Sequence, residues 1–469
     1  MLAATVGGAG ALSIARASAR PDPGTPRRVV VAGAGLAGLT AALDLTARGW
    51  DVTVLEARPR VGGRVHTLTF DSGMHAEAGG ESIDDNHDAI QALISRFGLS
   101  TERRPILKLE DARVRYRGST SVVAAFLLRR GGAVLTDYLR FGNALGAFSA
   151  NVDPTYPERA PHAEAMDAQN LEQFIRSLHL VPEAEFLVRL QNRGEFNAEA
   201  RDVSMLFAAQ QANVVANVPI TASETMRISG GNSRLPEAMA AALGSRVVRG
   251  APVTAVEHTP TGVRVHTPGR APIDAAWLVV AMPMHALRPV TFTPALPSAA
   301  AAMVHGLDLG AAVKVIREYT LPFWALEGLS GFTVTDLPFA IAWSPTDSYV
   351  GPHGLLSQFI TGETAATAAR LPSGDVFPTF QRQLDAVYPE GRGLLTGRHA
   401  TMVWAHEPYT GGGYAIYRPG QMVPYWPVLR DGVGRIRFAG EHTEPLAGFM
   451  ESAVRSGHRV ASGLGPPRP

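Results

Sequence analysis

The run Gly33-Ala34-Gly35-Leu36-Ala37-Gly38 directly follows the apolar stretch Val29-Val30-Val31-Ala32. Such a spacing binds anions. Gly33 permits a tight turn, Gly35 lets the backbone approach a pyrophosphate, and Gly38 allows a helix to pack closely on a strand, while Ala37 lies in the first helical turn, whose N–H groups are unpaired. Apolar residues at helical spacing follow (Leu39, Ala42, Leu43, Leu45), Gly49 suits a left-handed cap, and Val52-Thr53-Val54-Leu55 predicts a second buried strand. Glu56 ends that strand about twenty residues on, where a carboxylate receives ribose hydroxyls. The sequence therefore predicts a β-α-β dinucleotide site. It admits NAD or FAD, and Glu56 repels the extra phosphate of NADP. A second chemical candidate is Lys314, an ammonium within the otherwise apolar run Gly310-Ala311-Ala312-Val313-Lys314-Val315. Either it is buried and needs acceptors for its donors, or it lies on an edge strand and turns to solvent.

Positioning these groups requires a large chain. At 469 residues, a size of roughly 100–200 residues per domain gives about two to four domains. With 46% hydrophobic and 18% charged residues, the chain can bury a core that offsets its conformational entropy. Lys plus Arg number 43 and Asp plus Glu 42, so no excess of basic charge is available for nucleic acid. The absence of Cys excludes disulfides, thiolate metal sites, a Cys nucleophile and a thioether link to a cofactor. The 14 His residues show no metal-ligand spacing, so no metal centre is expected. Residues 2–19 form a small apolar stretch ending in Ala17-Ser18-Ala19, like a signal core with its cleavage site but without a positive flank. A twin-arginine leader and export would fit it. A disordered tail on a cytoplasmic protein is the alternative, and no segment is long enough to span a membrane. The prolines of residues 20–26 place the start of folding near Arg27.

Further motifs resemble those of the flavin-containing amine oxidase family. They are Ala57-Arg58-Pro59-Arg60-Val61-Gly62-Gly63-Arg64, Glu77-Ala78-Gly79-Gly80-Glu81, Arg227-Ile228-Ser229-Gly230-Gly231, Ala251-Pro252-Val253, Arg437-Phe438-Ala439-Gly440-Glu441 and Gly448-Phe449-Met450-Glu451-Ser452. The resemblance extends from about Arg27 to Leu464. It implies FAD as the cofactor and an α/β fold: a Rossmann-like FAD-binding domain of the GR2 type with an inserted α+β substrate-binding domain. The implied FAD-binding domain is discontinuous, comprising residues 27–105, 225–300 and 399–465, with 106–224 and 301–398 building the substrate side.

The resemblance also implies roles. Arg58 and Arg64 pass the FAD pyrophosphate, Gly63 and the pair Gly79-Gly80 approach the cofactor, Val253 meets the adenine, and Glu441 receives ribityl or ribose hydroxyls. Met450 presents its N–H at a helix start, and Trp404 belongs to an aromatic wall. Lys314 holds a water near flavin N5. Tyr414 and Phe449 fall where the family places two aromatic rings across the amine, one of them Phe in place of Tyr. In animal monoamine oxidases the residue before the first of these is a Cys bonded to FAD. Here it is Gly413, which implies non-covalent FAD. The implied reaction is hydride transfer from the carbon next to an amine to flavin N5, imine hydrolysis, and reoxidation by O2 with release of hydrogen peroxide. An L-amino-acid oxidase is the alternative, with Arg418 or Arg193 as carboxylate clamp because Glu81-Ser82-Ile83 holds no arginine there. A flavin-binding protein without turnover is the third reading. Glu81, Asp84 and Asp85 either attract a distal ammonium or form a solvated acidic loop, and a homodimer is left open.

Overall fold

The computed structural model describes residues 27–464 apart from 104–110, 217, 220–221 and 347–350, so the leader-like stretch lies outside the described residues. Its first layer is a parallel sheet of five strands in the order Ile436–Phe438, Trp277–Val280, Arg28–Ala32, Asp51–Glu56 and Val247–Arg249. The central strand is sealed on both faces, with Val29, Val30 and Val31 fully buried, which is why it reads as an unbroken apolar run. Helix Leu36–Ala47 packs between this sheet and helix Met450–Leu464. The two helices touch backbone to backbone. A Cβ on Gly457 would stand 2.5 Å from the Ala37 carbonyl oxygen, and one on Gly38 would overlap that of Gly33.

A seven-stranded sheet forms the second layer, in the order Leu395–Val403, Ala312–Tyr319, Gly354–Thr361, Ile341–Trp343, Thr333–Thr335, Arg113–Tyr116 and Ser119–Val122. Strand Ala312–Tyr319 is buried along its whole length and lies between two antiparallel neighbours, with Lys314 opposite Phe359 and Met402. Side chains alternate across a strand. Val313, Val315 and Tyr319 join the core that also holds Val376, Phe380 and Leu384 of helix Ser373–Asp385, while Ile316 packs with Phe70 and Met74 on the other side. Lys314, even-numbered like Ile316, therefore faces the segment after Met74. The solvent-facing edge reading of this lysine is excluded.

The remaining cover is helical. Leu171–Ser177 starts with a reciprocal cap, in which the Asn170 side chain accepts the Gln173 N–H and the Gln173 side chain accepts the Asn170 N–H. Pro182–Phe196 has Pro at its first turn and ends at Asn197, which takes the left-handed conformation with φ 52°. Among the described residues no helix is long and apolar enough to cross a membrane.

Candidate active site

A single cavity of about 1540 Å³ runs between the two sheets. At one end it is lined by Gly33, Gly35, Ala37, Glu56, Ala57, Arg58, Gly63, Arg64 and Val253. Gly79, Gly80, Glu81, Lys314, Trp404, Gly440, Glu441, Gly448 and Met450 line it further on, and Tyr414 and Phe449 also face it. Of the residues the resemblance assigns to the cofactor and to the amine slot, Gly38 stands off the cavity wall, since its place is under Gly33. The volume exceeds the roughly 300–1,000 Å³ of a pocket for one drug-sized ligand, which leaves room for a dinucleotide and a second molecule.

The dinucleotide end is built by the crossing of two turns. Glu56 accepts the Ala34 N–H at 2.8 Å and the Arg58 N–H at 2.9 Å, so one carboxylate ties both glycine turns to the end of its strand. A Cβ on Gly35 would meet nothing nearer than 4.0 Å. Unlike Gly38, Gly35 is small towards empty space, as a cradle for an anion requires. The residues present therefore fit FAD, since Gly35 and the helix start leave a cradle open for a pyrophosphate. Arg58 is held by Glu407 at 3.2 Å and Thr410 at 2.5 Å. Arg64 donates to the Gly413 carbonyl and to Glu441, each at 2.7 Å. Glu441 also accepts from the Ala415 and Gly448 N–H groups. Burial alone would raise this carboxyl, but Arg64, His442 and these hydrogen bonds hold it below its ordinary value.

Lys314 is 5% exposed, and all its donors are used by protein. Nζ donates to Glu77 O at 2.9 Å, Gly79 O at 3.1 Å and Glu81 Oε2 at 2.9 Å, and lies 5.1 Å from the centre of the Trp343 ring. Trp343 Nε1 in turn donates to Glu81 Oε1 at 3.0 Å. Glu81 and Asp84 are thus no solvated loop, being 8% and 6% exposed, because the lysine, the Glu224 N–H and His87 draw them inward. Only Asp85 has the expected exposed character, pairing with Arg103. The glycine pair is confined by protein as well: a Cβ on Gly79 would overlap the Arg64 carbonyl, and one on Gly80 would lie 3.1 Å from Met450 Cγ.

Tyr414 and Phe449 make no ring contact with each other, and each has its own neighbour, Phe359 at 6.4 Å and His87 at 5.4 Å. A slot is left between two separately held rings. Burial, then the charges of Glu195 and Glu224, push the Tyr414 hydroxyl far above its ordinary value, so it stays a phenol. Arg418 pairs with Asp202, and neither it nor Arg193 lines the cavity. Glu195, Glu224, Trp343 and Tyr138 are lining residues that sequence reasoning missed. They come from helix, loop and strand positions with no local motif.

Residues 36–464 match the family described as flavin containing amine oxidoreductase. The chain is 28% identical over 451 residues to the flavin-containing amine oxidase B of Homo sapiens, covering 92% of this chain and 85% of that protein. A solved putrescine oxidase bound to putrescine superposes with a TM-score of 0.86 at 26% identity, covering 94% of this chain and 99% of that one. Cyclohexylamine oxidase from Brevibacterium oxydans IH-35A shares the fold, with a TM-score of 0.84 at 24% identity over 93% of this chain and 98% of that one.

Gly35→Ala should unfold, without cofactor, within a degree or two of the parent but bind FAD at least tenfold more weakly, whereas Gly38→Ala should lose roughly 1–3 kcal/mol of stability through overlap with Gly33. Thermal unfolding and FAD titration separate the two. Lys314→Met removes the cation beside the buried Glu81 carboxylate, which keeps the Trp343 N–H, and should cost about 3 kcal/mol, part of which Glu81→Gln in the same chain restores. Denaturant unfolding of the three proteins measures it, and no difference between Lys314→Met and the parent would show the pair to be inert.

Proposed function

Because this chain belongs to the flavin-containing amine oxidoreductase family, a group of oxidoreductases acting on CH–NH2 groups, we propose that it oxidises a small amine with dioxygen as acceptor and releases hydrogen peroxide. The observation that carries the reading is the continuity of one cavity from the glycine turn at Gly33 and Gly35 to Lys314, Tyr414 and Phe449. Held by the glycine turns, a bound flavin would supply the two-electron acceptor for the carbon next to nitrogen, and hydrolysis of the oxidised amine would give a carbonyl compound and an amine or ammonia.

Everything else falls to the chain. The Gly33–Gly38 turn and Arg64 hold the anionic part of the cofactor, and Glu56 and Glu441 hold the turns and, with them, the hydroxyl-bearing part. Lys314, fixed by Glu77, Gly79 and Glu81, keeps one positive charge at a set point of the wall. Tyr414 and Phe449 bound a slot that orients the amine, and the π faces attract its protonated form before the proton is lost. A Tyr414 that stays protonated is no general base, and the slot works by shape and electrostatics. Non-covalent binding of FAD is favoured by the packing at Gly413, where a Cβ would overlap Asn197 Nδ2 and meet Ala312 at 3.0 Å. The amino-acid oxidase reading loses its clamp, since neither Arg193 nor Arg418 reaches the cavity.

Purified yellow protein should release peroxide with amines that lack a carboxylate, and an added amine should bleach it under anaerobic conditions. Reaction only with amino acids bearing an intact carboxylate overturns the reading, and absence of bleaching by any amine leaves a binder. Tyr414→Leu should keep its flavin and lose roughly three- to thirtyfold in kcat/KM, the size of a desolvated cation–π contact. Heat denaturation followed by filtration should recover all of the FAD in the filtrate, and flavin retained on the chain would contradict the non-covalent assignment.

A further inference from the structure

Phe449 borders the amine slot, yet two of the groups that set its place lie off the cavity wall. It stands at the start of helix Met450–Leu464, where its carbonyl accepts the Ala453 N–H. On one side Gly448, with φ 87°, donates its N–H to Glu441 at 2.9 Å and passes beside the Tyr414 ring, which a Cβ would meet at 3.2 Å. That side is fixed from within the cavity. On the other side Met450 packs on Gly80, and Glu451, fully buried, lies outside the cavity lining.

Glu451 reaches a second helix. Its carboxylate accepts the Ala89 N–H at 3.1 Å and the Ile90 N–H at 2.8 Å, and Arg455, one turn on, donates to it at 2.7 Å. Ala89 and Ile90 belong to the first turn of helix Asp88–Arg96, where N–H groups have no partner within the helix. His87, the residue in front of that helix, gives it no side-chain cap. Glu451 supplies the cap instead, 362 residues along the chain from Ala89, and its charge meets the positive end of the helix dipole. His87 is held sideways: it is 1% exposed, and its Nδ1 accepts the Asp84 N–H at 3.0 Å. Its ring meets Phe449 edge-on, with centroids 5.4 Å apart and planes at 76°. The two helix starts are thus interlocked, since Glu451 caps the helix behind His87 and His87 leans on the Phe449 ring.

We infer that Glu451 and His87 are positioning residues of the amine slot, holding the Phe449 ring in its place opposite Tyr414 without touching substrate or cofactor. The inference rests on the oxidase reading and deepens it. A displacement of about 1 Å in a group that orients a reacting molecule can cost about a hundredfold in rate, so a support of this kind is felt in turnover as well as in stability.

The test uses the FAD-loaded full chain as parent, Glu451→Ala, Phe449→Leu and the double variant. Peroxide release from n-alkylamines gives kcat and KM, with Tm and FAD content measured beside them. Phe449→Leu should lose roughly three- to thirtyfold in kcat/KM, the size of a desolvated cation–π contact. Glu451→Ala should lose a similar factor when Phe449 is present and less than about twofold once it is Leu, because two residues that act through one ring do not add. His87→Leu should follow the same pattern, and Glu451→Gln, which keeps one acceptor oxygen, should recover part of the loss. A cap with a purely structural role lowers Tm alike in both backgrounds and leaves the kinetic losses multiplicative. Multiplicative losses, or unchanged kcat/KM in Glu451→Ala and His87→Leu, overturn the inference and leave the oxidase intact. Where Glu451→Ala fails to fold, Glu451→Gln and His87→Leu carry the same comparison. If the parent oxidises no amine, the oxidase reading fails and hydrogen exchange decides the interlock: Glu451→Gln should speed exchange at both 87–92 and 446–452, and a change confined to 87–92 overturns it.

Discussion

The buried ion pair of Lys314 and Glu81 joins the two layers of this protein. The lysine comes from the centre of the seven-stranded sheet, and its acceptors come from the segment that follows the second glycine turn. A buried pair of this kind contributes little net stability, but it cannot be broken from one side without exposing a charge to the interior. It therefore fixes a register between sheets. The same segment passes under Arg64, whose guanidinium reaches Gly413 and Glu441, and Glu441 holds the N–H groups of Ala415 and Gly448. Lys314, Gly79, Arg64, Glu441 and the slot of Tyr414 and Phe449 thus form one chain of contacts.

The basic side chains along the cavity are matched within the protein. Arg58 pairs with Glu407, Arg64 with Glu441 and Lys314 with Glu81. The N–H groups at the start of helix Leu36–Ala47 therefore offer an anion what these side chains have already given to carboxylates.

The first β-α-β unit was legible in the sequence because its signals are local: an apolar run, glycines at fixed offsets, a helical period and a terminal acid. Lys314 was legible from its flanks, since an ammonium between valines stands out. Its partners were not, because Glu77, Gly79 and Glu81 lie far away in sequence and only the fold brings them together. For the same reason an acid-rich loop read as open to solvent, although two of its three acids are buried. Glu195 and Glu224 carry no motif. One ends a helix whose pattern is otherwise ordinary, and the other sits in a loop, so their place on the cavity wall is a property of tertiary structure.

The contact of Gly457 with Ala37 brings together residues near opposite ends of the described chain, and the central strand Arg28–Ala32 is flanked on one side by strands at 277–280 and 436–438. During synthesis, the first strand and helix must wait until nearly the whole polypeptide has emerged before this side of the layer closes. Long-range pairing of this kind is slow and leaves apolar edges open in the interval. Assembly of the nucleotide cradle is accordingly a late event, and a ribosome-bound fragment lacking the final helix has no finished place to receive its cofactor.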